Sequence, residues 1–141
     1  KKILVSNIEW NDALTISNPS LTSMWEEIEI ETFSFLPSSF GPEKLAFDLF
    51  QDETIVFVST PGHTNGLAST IMRYKEKFVL LCSDVGYEKK SWEQMILPGK
   101  MTNPEKAKTS LSWVKEISLD KNCLEVIANH DGSLKPHTIR L

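Results

Sequence analysis

Long apolar runs are missing from this chain. The two clearest, Ile55 to Val58 and Phe78 to Cys82, are far shorter than the roughly 20 residues of a membrane-crossing helix, so no membrane span is expected. An excess of positive charge is missing too: 15 Lys and Arg face 19 Asp and Glu, a net charge of −4, and the sequence pI is ≈ 5.4. Basic residues cluster only in pairs such as Lys1-Lys2 and Lys89-Lys90, which leaves no electrostatic footprint for nucleic acid. Lys1-Lys2 before Ile-Leu-Val has the look of a leader, but Ser6, Asn7 and Glu9 close the apolar region too early for a signal peptide. Cysteine is scarce. Cys82 and Cys123 have no CxxC spacing and build no disulfide framework; reduced, buried thiols in a cytoplasmic protein are the simplest reading. No repeat, low-complexity tract or linker divides the chain, whose 141 residues suit one domain with a core of its own.

Strand and helix signals alternate along the chain. Lys2 to Val5 reads as a short strand. Ser6 with Glu9 three residues on fits a capping box opening a helix through Trp10, Ala13 and Leu14. Residues 17–44, with Asn18-Pro19, Leu36-Pro37 and Gly41-Pro42, fit either short helix or loop. From Leu45 the pattern sharpens: strands at Leu45 to Phe50 and Thr54 to Ser59 flank a turn at Gln51-Asp52-Glu53. A hairpin at Leu67 to Tyr74 and Lys77 to Cys82 then closes around Lys75-Glu76. Asn103-Pro104-Glu105 is a strong helix start, with Ala107, Leu111, Val114 and Ile117 or Ser118 on one face. Leu124 to Ala128 is a short apolar strand. Sheet layers with helices packed outside follow from this order.

Polar residues fall at three strand ends. His63 follows Ser59 within Ser-Thr-Pro-Gly-His-Thr-Asn-Gly, where the turn needs Pro61 and Gly62 for its backbone but has no use for an imidazole. Asp84 follows Cys82, and His130 follows Ala128. Imidazole and carboxylate are ligands for zinc, iron or manganese, and loops on rigid strands present them well. Each residue also has an ordinary use: a surface histidine, an Asx-turn at Asp84-Val85-Gly86, a turn at His130-Asp131-Gly132. His137 lies outside the pattern and reads as structural.

Together these motifs carry a resemblance. Thr60-Pro61-Gly62-His63-Thr64 resembles the third metal-binding motif of the metallo-β-lactamase superfamily, Ser83-Asp84 the fourth, and Asn129-His130-Asp131 the last. The spacing Asp84-Val85-Gly86-Tyr87, the continuation Glu88-Lys89-Lys90-Ser91-Trp92 and the helix before His130 resemble the N-acyl homoserine lactone lactonase branch, across essentially the whole chain. The resemblance implies an α+β fold, the αββα sandwich of that superfamily, with 1–141 forming its C-terminal half as a single partial domain. It implies that His63 ligates one divalent metal, His130 a second, and Asp84 bridges both, with zinc the expected pair. Tyr87 would face the substrate carbonyl or its oxyanion. A metal-bound hydroxide would open a lactone or related ester. Asp131 is open to two readings, orienting His130 or shaping a surface turn.

The departures bound that expectation. The family's H-x-H-x-D-H motif is absent, since the histidines are only 63, 130 and 137. In the family that motif precedes a strand and helix resembling Lys2 to Leu14, so the chain is expected to begin just after it. One histidine per metal and a shared aspartate fall short of the three protein ligands that catalytic zinc keeps, which predicts weak or no metal binding and no hydrolysis by this chain alone. Asn65, where the family often has proline, should loosen the turn. A solitary half exposes an apolar sheet face, so it aggregates, dimerises through that face or takes up a partner. The competing functions are thus a lactonase-like hydrolase acting on a small lactone or ester, a non-catalytic half-domain that dimerises or binds a protein, and another hydrolase of the superfamily acting on a thioester or β-lactam.

Overall fold

The alternation from residue 45 onward builds the main sheet. The computed structural model describes residues 2–15, 25 and 27–141; the undecided stretch at 17–44 falls partly outside them. In chain order the elements are β1 (Lys2–Ser6), α1 (Asn7–Leu14), β2 (Glu29–Phe33), β3 (Leu36–Pro37), β4 (Leu45–Asp48), β5 (Ile55–Ser59), β6 (Ala68–Tyr74), β7 (Lys77–Ser83), α2 (Lys89–Glu93), α3 (Pro104–Ser118) and β8 (Cys123–Ala128). β1 and β2 pair in parallel as a small sheet. The other six form one sheet in the order β3-β4-β5-β6-β7-β8, antiparallel throughout except for the β7–β8 pair. That parallel pair needs a crossover, and α3 supplies it. No described helix is long and apolar enough to cross a membrane.

One face of the sheet holds the core. Val56, Ile71 and Leu80 lie side by side across β5, β6 and β7 and pack with Leu111 and Val114 of α3 and Trp92 of α2. Each fully buried aliphatic side chain there contributes about 1.5–3 kcal/mol. The opposite face carries a second register row, Phe47, Phe57, Thr70, Leu81 and Ile127, and every member of it is only partly buried. Its cover comes from the small sheet at one end, where Phe33 of β2 stacks on Phe47 at 4.7 Å and leans on Phe57 at 5.4 Å.

Two local expectations are corrected. Ser6 caps α1 by accepting from the Glu9 amide at 3.1 Å, but the Glu9 carboxylate does not close the box. It accepts from the Gly66 amide at 3.1 Å, while Ser6 Oγ donates to the Gly66 carbonyl at 2.8 Å. Both capping side chains therefore grip the turn beyond β5, and a Cβ on Gly66 would meet the Glu9 amide at 2.2 Å. Asn65 does not loosen that turn either: its Nδ2 donates to Asp12 of α1 at 2.7 Å. The short helix α2 carries no periodic signal in its five residues. Ser91 pins its start, accepting from the Tyr87 amide at 3.1 Å and the Glu88 amide at 3.3 Å.

Candidate metal centre

Topology brings three strand ends to one edge. β5 and β7 are each antiparallel to β6, so they run the same way, and β8 runs parallel to β7. The C-terminal ends of β5, β7 and β8 therefore open on the same rim, and these are the ends that precede His63, Asp84 and His130.

Each loop is held by its surroundings. Gly62 adopts φ 138, open mainly to glycine, and a Cβ there would lie 2.2 Å from the Ala107 amide; the turn thus rests directly on the first turn of α3. The Gly62 carbonyl accepts from the Thr102 amide at 2.8 Å and the Asn103 amide at 3.0 Å, and Ser110 donates to the Pro61 carbonyl at 2.7 Å. Asp84 follows Ser83, whose φ of 50 turns the chain sharply off β7. Tyr87 is fixed through Ser91. Spacing gave no hint of the positioning serines 91 and 110; the available signal was a buried small hydroxyl at the start of one helix and on the apolar stripe of another.

The side chains meet. His130 Nε2 lies 3.0 Å from Asp84 Oδ1, and His63 Nε2 lies 3.8 Å from Asp84 Oδ2. Tyr87 stands edge-on to both imidazoles, with ring centroids 4.7 Å from His130 and 6.3 Å from His63. His63 is mostly covered, whereas the His130 side chain is 59% exposed. Two polar atoms in this cluster, His63 Nδ1 and Asp84 Oδ1, are buried without a hydrogen-bond partner; the short His130–Asp84 approach is an ion-pair distance lacking hydrogen-bond alignment. Buried polar atoms are normally satisfied, so Asp84 Oδ1 fits a cluster that receives a cation, whereas the orphaned His63 Nδ1 is the ring nitrogen other than the one facing Asp84. The fit is partial. No group of three or more His, Cys, Asp or Glu side chains among the described residues is assembled closely enough to hold an ion by itself.

The remaining candidates stand apart. Asp131 serves a surface turn, accepting from the Ser133 amide at 2.9 Å, and makes no hydrogen bond to His130. His137 tethers the C-terminal segment to Glu125 of β8 at 2.8 Å. Cys82 is buried and free; burial above all, with the Asp84 charge adding to it, pushes its thiol up to about 12. A protonated thiol is a poor ligand. Cys123, half-buried, is shifted upward for the same first reason.

No protein-family model matches the chain. Solved structures do. An N-acyl homoserine lactone hydrolase with the product N-hexanoyl-L-homoserine bound at its catalytic metal centre superposes with a TM-score of 0.66 at 20% identity, covering 91% of this chain and 46% of that one. A quorum-quenching N-acyl homoserine lactone lactonase superposes with a TM-score of 0.68 at 19% identity, covering 96% and 52%. The fold class is therefore the α+β, metallo-β-lactamase-like one, of which this chain is about half. Within that class the sequence is similar to N-acyl homoserine lactonases. The lactonase AttM of Rhizobium radiobacter is 29% identical over 92 residues, 64% of this chain and 35% of that protein. AttM of Azorhizobium caulinodans is 26% identical over 91 residues, 64% and 34%. The chain spans about a third of the length of these curated relatives.

Proposed function

We propose that this chain carries part of the active site of a lactonase-like, metal-dependent hydrolase that opens a small lactone or related ester. The observation that supports this most directly is the approach of His63 and His130 to the two different oxygens of Asp84, with Tyr87 against both rings. In this reading His63 and Asp84 offer one nitrogen and one oxygen to a first cation, and Asp84 and His130 the same to a second. Zinc suits that donor set. A bound cation pair supplies a hydroxide near neutral pH and a Lewis acid for the carbonyl. Asp84 holds the two imidazoles in register, and Tyr87 offers its phenolic hydrogen where negative charge develops on the carbonyl oxygen. Two ligands per cation is one fewer than a catalytic zinc keeps, so the chain alone binds zinc weakly and does not turn over. The free thiols of Cys82 and Cys123 fit a reducing compartment such as the cytoplasm.

The test is elemental analysis and lactone hydrolysis, first on the chain alone and then together with a polypeptide bearing H-x-H-x-D-H. Little zinc and no turnover alone, with both restored in the mixture, is the expected result. In that mixture His63→Ala abolishes turnover, and Tyr87→Phe lowers it by ~10² with zinc content unchanged. Two tightly held zinc ions in the chain alone would overturn the ligand count, and full turnover by the His63→Ala mixture would remove His63 from the site. A second reading, a half-domain that pairs through its open sheet face, is favoured by the part-exposed row Phe57, Leu81 and Ile127.

A further inference from the structure

The chain segments leading to His63 and Asp84 are joined by hydroxyl groups just past the last β6–β7 register pair, while on the β5 side the Thr60 amide still donates to the Leu67 carbonyl at 3.0 Å. β6 lies between β5 and β7, and its register with β7 ends at the Thr70–Leu81 pair. Past that pair, Ser69 Oγ donates to the Cys82 carbonyl at 3.3 Å, and Thr60 Oγ1 lies 3.0 Å from Ser69 Oγ. A hydroxyl has one proton to give. Since Ser69 gives its own to Cys82, Thr60 must donate to Ser69, and the chain of bonds has a single direction. Thr60 sits three residues before His63, and Cys82 two before Asp84. Thr60, Ser69 and Cys82 are all fully buried. Ser69 occupies the helix-facing register beside Val58, where an apolar residue would fill the space without burying a hydroxyl, so the core gains nothing from the choice.

We propose that Ser69 is a positioning residue that sets the separation of His63 from Asp84, with Thr60 as the relay to the histidine turn. This deepens the hydrolase reading and rests on it. Without the Ser69 hydroxyl, the Cys82 carbonyl keeps the Val85 amide as donor at 3.2 Å, but the Thr60 hydroxyl loses its acceptor in a dry interior, which is costly. Thr60 carries this change into the 60–66 turn, whose other side-chain ties run to α1 and α3 and not to β7, so the separation of His63 from Asp84 is the quantity that shifts. His63 then leaves the cluster alone.

The test uses the metal-free chain and proton–proton contacts read by NMR. The wild type shows ring-to-ring contacts from Tyr87 to both His63 and His130. Ser69→Ala and Thr60→Val, the second nearly isosteric, lose the His63–Tyr87 contact and keep the Tyr87–His130 contact and the methyl contacts of Leu80 with Leu111. Ser69→Thr and Thr60→Ser, which retain the hydroxyl, keep both ring contacts. If Ser69→Ala does not fold, Thr60→Val decides. Retention of the His63–Tyr87 contact in the deleted variants, loss of both ring contacts together, its absence from the wild type, or unfolding of both deletions would each overturn the proposal. A parallel zinc titration of the wild type mixed with a polypeptide bearing H-x-H-x-D-H judges the hydrolase reading separately: no zinc-induced shift at His63 or His130 in that mixture counts against that reading while leaving the contact result intact.

Discussion

Both ring nitrogens of His137 face oxygen atoms that cannot donate. Nδ1 is 2.8 Å from the Lys135 carbonyl and Nε2 is 2.8 Å from the Glu125 carboxylate, so only the doubly protonated ring satisfies both. The Lys135 carbonyl first, and Glu125 after it, hold the imidazole pKa above its usual 6.5. A raised native value favours the folded arrangement fully below the ordinary value and loses that favour as pH climbs through the raised one. NMR titration should therefore find His137 titrating above an ordinary histidine, with the C-terminal segment loosening over the same interval; Glu125→Gln should move the midpoint down. An unshifted His137 would mean the tether does not form in solution. Nothing in Lys-Pro-His-Thr announces this contact, because its partner lies on β8, whereas the convergence of His63 and His130 on one rim was legible from their places just after apolar strands. The apolar surroundings of both cysteines pointed to burial in each; Cys82, within the run Phe78 to Cys82, is buried, whereas Cys123 is only half-buried. The Cys82 thiol, held protonated up to about 12, should resist thiol reagents at pH 8 that label Cys123, and equal labelling rates would contradict the burial.

At the scale of elements, α3 does two jobs that its sequence separates only in part. The stripe Ala107, Leu111 and Val114 was readable from helical spacing and is buried as expected, and Asn103 caps the helix by accepting from the Lys106 amide at 3.0 Å. The second job, serving as the floor for the His63 turn, depends on Gly62 meeting Ala107 and could not be read from either residue. The two jobs predict different outcomes. Leu111→Ala should lower stability in urea by about 2–5 kcal/mol and leave the Tyr87 ring contacts in place. Gly62→Ala should cost about 1–3 kcal/mol through overpacking and displace His63. Equal effects of both on the ring contacts would show that α3 does not separate core from site. Elsewhere the β-hairpins were legible because apolar alternation and turn residues agree. β2 was not: Glu29-Ile30-Glu31-Thr32-Phe33 buries Phe33 on the face it shares with two glutamates, so alternation points the wrong way. Nor did the apolar content of β8 disclose its parallel pairing, which follows from the crossover.

For the whole molecule the deciding quantity is surface. The chain exposes 8972 Å², against about 7,400 Å² for a compact monomer of 16.0 kDa. Part of the excess of about 1,600 Å² comes from residues 129–141, which form no regular element. The rest includes the sheet face where Phe57, Leu81 and Ile127 lie in one register row with no described helix over them, Phe33 leaning on Phe57 at one end. A standard stable interface takes about 800 Å² from each partner, and the open sheet face is the apolar part of the surface that a partner would cover. A flat apolar row also favours a like surface, which a second copy provides. The chain should therefore sediment above 16.0 kDa at micromolar concentration, and Leu81→Lys, which puts a charge at the middle of the row, should return it to the monomer mass. The helix-side core contains Leu80 and not Leu81, so the variant should keep its fold, and its circular dichroism should match the wild type. A wild type that sediments as a monomer would mean that the face tolerates water and would leave the pairing reading without support. A Leu81→Lys chain that stays associated would move the contact to another part of the surface, with Leu36 and Phe50, each 61% exposed, the next residues to substitute.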